Sequence, residues 1–109
     1  MVQKTKRRKI MPIIKELDFY DFKKEFEDYN RDKQFTLQGL SALYDYVLEL
    51  SDESGENYKL DVIELCTTFT EYESVSQALK EYDFTNYHQL AESTVILPLD
   101  DGNIIIQNF

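Results

Sequence analysis

The sequence predicts an α+β fold, a small three-stranded and mainly antiparallel sheet packed against helices in the order ααβααββ. Three observations predict it. Apolar residues recur at three and four positions along 37–48 and again along 75–82. An apolar run at 60–69 alternates between two faces, and two strand-like runs at the C-terminal end flank an Asp-Asp-Gly turn.

In chain order, residues 1–11 have no apolar periodicity and read as a flexible basic arm, leaving 12–109 as one acidic domain. Pro12 argues against a helix interior in the lead-in that follows. Asp18 is suited to cap a first helix in which Phe19, Phe22, Phe26 and Tyr29 lie three and four residues apart. Asn30-Arg31-Asp32-Lys33 breaks that pattern. Thr36 then caps a second helix with Leu37, Leu40, Leu43, Tyr44, Val47 and Leu48 on its apolar stripe, and an aromatic seam is expected between the two helices. Ser51 to Gly55 ends it, with Gly55 free to adopt the left-handed conformation of a C-terminal cap.

Residues 60–69 are expected to form an interior strand, because Leu60, Val62 and Cys66 alternate with Ile63, Leu65 and Phe69 and both faces are apolar. Thr70 and Glu73 have the spacing of a capping box ahead of a helix carrying Val75, Ala78, Leu79 and Tyr82. Thr85 caps a shorter helix with Tyr87, Leu90 and Ala91. The runs 94–98 and 103–107 form a hairpin, with Pro98 at a strand end and Gly102 in the turn.

The 109 residues suffice for one modest core without disulfides or metal. A single cysteine, Cys66, excludes an internal disulfide, points to a reducing compartment and is expected to act as a small buried hydrophobe. No apolar segment approaches a membrane span, so a cytosolic protein with no membrane association is expected. The net charge of −9 is unevenly spread: Lys4, Lys6, Arg7, Arg8 and Lys9 lie in the arm, whereas from Gln34 onward fourteen Asp and Glu face only Lys59 and Lys80.

Motifs with chemistry are few. Cys66 and His88 could form a nucleophile and base only if folding joined them, and nothing near Cys66 in sequence would lower its pKa. Asp100-Asp101-Gly102-Asn103 lacks the spaced oxygens of a calcium loop and reads as a turn. No Gly-rich phosphate loop or paired-cysteine motif is present. No catalytic, cofactor-binding or metal-binding residue is therefore expected.

The acidic face is the functional signal. Asp45, Glu49, Asp52, Glu53, Glu64, Glu71 and Glu73 are the expected partner-binding residues, because carboxylates spaced along regular elements attract a basic surface and can imitate successive phosphates. Residues 39–46, 60–66, 69–74 and the ending 101–109 resemble a group of small acidic phage and prophage proteins, over roughly 18–109. That resemblance implies an inhibitor of the anti-CRISPR or anti-restriction type, with no cofactor, bound to the basic nucleic-acid groove of a host defence enzyme in the host cytosol. The alternatives are a nucleic-acid-binding regulator working through the basic arm, and a small carboxylate-dependent enzyme.

Overall fold

The computed structural model describes residues 13–55 and 58–109; the expected basic arm at 1–11 lies outside them. Asp18 caps α1 (Phe19–Asp28) by accepting a 2.8 Å bond from the Asp21 N–H, and Phe22 and Phe26 point into the core. Thr36 caps α2 (Leu37–Ser54) through the Gly39 N–H, and Gly55 ends it at φ 72°. An aromatic seam joins the two helices, with Phe22 and Tyr44 centroids 5.2 Å apart, and Phe35 of the segment between them meets Phe26 at 6.1 Å. The buried stripe of α2 is Leu40, Leu43, Val47 and Ser51. Leu37, expected on that stripe, is exposed because it occupies the first helical position, beyond the edge of the core.

The segment 60–69 corrects the sequence reading. It is a helix, α3 (Val62–Thr68), that passes directly into strand β1 (Phe69–Tyr72). Val62, Leu65, Cys66 and Phe69 fit a helical stripe as well as they fit two strand faces, and the cap decides between them. Asp61 accepts a 3.1 Å bond from the Glu64 N–H, fixing the first turn of α3. Thr70 consequently lies in β1, and α4 (Val75–Tyr82) is capped by Ser74, while the Gln77 side chain accepts from the Glu73 N–H. Likewise α5 (Tyr87–Ser93) takes Asn86 as its cap, in a capping box with Gln89 to which Thr85 also donates.

Strands β2 (Ile96–Pro98) and β3 (Ile104–Gln107) form the expected hairpin, with Gly102 at φ 95° in its turn. The sheet is antiparallel in the order β1-β3-β2, with Thr70 opposite Ile106 and Leu97 opposite Ile105. The interior strand is thus β3, and β1 is an edge. Successive β3 side chains reach opposite faces: Ile105 packs with Phe22, Leu40, Leu43 and Leu65, whereas Ile104 and Ile106 pack with Ala78 of α4 and Leu90 of α5. One α+β core is therefore split by the sheet into two apolar clusters. Pro98 sits on edge strand β2, where a missing N–H removes no ladder bond from the centre of the sheet.

Candidate protein-interaction face

Four of the expected partner residues share one helix. Asp45, Glu49, Asp52 and Glu53 are exposed along α2 at offsets of four, seven and eight residues, which brings them to one side of the helix. Lys15 pairs with Asp52 at 3.3 Å, and no ion pair among the described residues involves Asp45, Glu49 or Glu53. With Asp52 paired to Lys15, the three remaining carboxylates, Asp45, Glu49 and Glu53, recur every four residues, or about every 6 Å at 1.5 Å per residue. One strand of a nucleic-acid duplex carries a phosphate about every 3.4 Å, so the stripe has roughly half that linear charge density.

Folding adds acids that the sequence reading did not select. Tyr44, whose hydroxyl donates to the Leu17 carbonyl, has a raised pKa, chiefly from burial and then from the charges of Asp18, Asp45 and Asp21. Asp18 and Asp21, at the start of α1, thus act on the same tyrosine as Asp45 at the near end of the α2 stripe. Glu25, one turn further along α1, is held above the usual carboxylate range first by burial and then by Asp28 and Asp21, with Lys24 opposing. The i, i+4 spacing of Asp21 and Glu25 was the available signal, but their register against α2 was not readable without the interhelical packing. The neighbouring Lys23–Glu27 and Lys24–Asp28 pairs leave the rest of α1 closer to balance.

Glu71 has a different environment from the other six. Its carboxylate accepts from the Thr36 N–H at 2.9 Å, the Thr36 hydroxyl at 2.8 Å and the Asn103 amide at 2.7 Å. One side chain therefore ties β1 to the hairpin turn and to the N-terminus of α2, where a negative charge also complements the helix dipole. A Cβ built on Gly39 would collide with Glu71 Oε1, so the glycine is what lets α2 approach this carboxylate. Glu73 is exposed beside a shallow cleft of about 230 Å³ lined by Gln34, Thr36, Glu71 and Asn103.

Glu64 of α3 stands apart from the stripe, on the rim of a groove of about 200 Å³ between α2 and α3. The groove is floored by Val47, Leu65 and Phe69 and flanked by Tyr46, Leu50 and Tyr58. Tyr46 meets Phe69 edge to face at 5.8 Å. Burial, followed by Glu64 and Asp61, raises the Tyr58 pKa.

A further aromatic surface lies beside the β1 edge. Phe109 stacks on Tyr82 with centroids 4.5 Å apart and rings inclined by 17°, and Phe84 continues the stack. Asn108 holds this end in place, accepting from Thr70 and Tyr82 and donating to the Thr67 carbonyl. Tyr72 closes the group edge-on, its pKa pushed up to about 12 by burial and then by Tyr82.

Cys66 is half-buried against the larger cluster, and its thiol pKa is raised by burial, with Arg31 opposing. The expected full burial is corrected: a helical position at the cluster's margin replaces the interior strand position. His88 is exposed on α5 and pairs with Glu92 at 3.0 Å. Asp101 accepts from the Asn103 N–H, as a turn residue does. Among the described residues no group of three or more His, Cys, Asp or Glu side chains converges as a metal site, and no helix is long and apolar enough to cross a membrane. Compared with protein-family models, curated proteins and solved structures, the chain matches none at a significant level, so its own surface is the ground for a functional reading.

Proposed function

We propose that this protein is a non-enzymatic inhibitor whose acidic face occupies the basic, nucleic-acid-binding groove of a host defence enzyme of the CRISPR or restriction type. The observation that supports the reading is the α2 stripe. Asp45, Glu49 and Glu53 are exposed, lack cationic partners among the described residues, and share one rigid helix with Asp52. A fixed, regularly spaced row of charges presents its field to a cationic groove without first ordering flexible side-chain-bearing loops, which favours fast, salt-sensitive association. Asp18 and Asp21, whose charges reach Tyr44 together with that of Asp45, add negative charge at the near end of the stripe.

Glu71 has no part in this contact; its carboxylate is engaged within the fold. The test is affinity capture from a host-cell lysate on the immobilised protein, at low and high salt, with Asp45→Lys/Glu49→Lys/Glu53→Lys alongside the parent. The parent retains a nucleic-acid-processing protein at low salt and releases it to added DNA or RNA, and the folded triple variant retains none. Equal retention by both proteins removes the mimicry mechanism.

A further inference from the structure

The groove between α2 and α3 combines three features that apolar packing alone does not require. Three aromatic rings, Tyr46, Tyr58 and Phe69, border it; Glu64 contributes a carboxylate at its rim; and no Lys or Arg among the described residues lines it. The side chains of Tyr46, Tyr58, Glu64 and Gln107 line the groove without hydrogen-bonding any other described residue, although Tyr58 is half-buried. Acceptor-bearing and aromatic side chains thus line one space of about 200 Å³. The groove also adjoins the acidic stripe: Glu49 follows Tyr46 by three residues on α2, and Glu53 follows Leu50 by three, spacings that make each pair neighbours on the helix surface.

We infer that this groove is a receptor for an arginine side chain of the partner protein, taken up between the Tyr46 and Tyr58 rings with its guanidinium directed to Glu64. The chemistry of the lining selects arginine. A planar guanidinium stacks on aromatic faces, and its five donors can serve a carboxylate, two phenolic oxygens and an amide oxygen together. Its methylene stem suits the apolar floor of Val47 and Leu65. A leucine would leave those acceptors without donors, and a carboxylate would be repelled by Glu64 and by Asp61, whose charges both act on Tyr58. The inference rests on the reading of the partner as a basic protein. It adds a site of short-range specificity beside a stripe that acts mainly through its field.

The probe is acetyl-Gly-Arg-Gly-amide, titrated into the full chain while backbone amide resonances are followed, with the citrulline and leucine peptides as isosteric and apolar controls. The arginine peptide is expected to shift Leu50, Leu65 and Phe69 in a saturable way, and the uncharged citrulline peptide to bind about tenfold more weakly. Glu64→Gln, with an otherwise unchanged spectrum, reproduces most of that loss, whereas Glu81→Gln on the far side of the sheet changes nothing. Equal binding of the citrulline peptide overturns the inference, as does tighter binding of the leucine peptide at the same resonances. So do arginine shifts confined to the α2 stripe. Loss of lysate capture by the stripe variant, combined with a groove silent to arginine, leaves the proposed function standing and removes only this site.

Discussion

Glu71 and Gly39 show how much a single side chain can organise here. Glu71→Ala leaves the Thr36 N–H, the Thr36 hydroxyl and the Asn103 amide without their common acceptor, and is expected to cost about 1–3 kcal/mol in chemical denaturation. Gly39→Ala forces its new methyl against the same carboxylate and costs about 1–3 kcal/mol by overpacking. In the double variant the two losses combine to less than their sum, since removing the carboxylate relieves the clash; full additivity would show that the contact is not what constrains Gly39. Glu25 tests the electrostatics. Burial, Asp28 and Asp21 raise its pKa above the unfolded value, so the folded chain resists its ionisation, and the resulting cost is present at neutral pH and fades as pH falls through the carboxylate range. Glu25→Gln should therefore raise the melting temperature at pH 7 and leave it unchanged at pH 3.

Among the elements, those with both a cap and an unambiguous period were legible in the sequence. Asp18 and Thr36 start α1 and α2 where the residues suggested, and Gly55 and Gly102 take the positive φ their places demanded. The segment 60–69 was not legible by period, because Val62, Ile63, Thr67 and Thr68 favour a strand while Asp61 and the three-and-four spacing favour a helix. Its interior-strand role belongs to β3, whose three consecutive isoleucines are buried on both faces. The helical assignment makes Asp61 a cap: Asp61→Ala should lower stability by about 1 kcal/mol, measured by urea denaturation, and Asp61→Asn should restore most of it. Leu65→Asp, which buries an unpaired charge, should abolish the cooperative melt.

Over the whole molecule, the sequence revealed the excess of acid but not its distribution. Of the seven carboxylates singled out, four lie on α2, Glu64 borders the groove, Glu73 is exposed beside the cleft below α2, and Glu71 is engaged internally. The contribution of Asp18 and Asp21 depends on the packing of α1 against α2 around Tyr44, and the groove depends on the turn from α3 into β1; neither follows from composition or spacing. Electrostatic binding through the α2 stripe is tested by the salt dependence of association between the purified protein and the partner that it captures. Affinity is expected to fall steeply with ionic strength for the parent, Asp45→Lys/Glu49→Lys/Glu53→Lys to abolish binding at low salt with an unchanged melt, and deletion of residues 1–10 to leave affinity equal or higher. A folded triple variant that binds as tightly as the parent at low salt would contradict it.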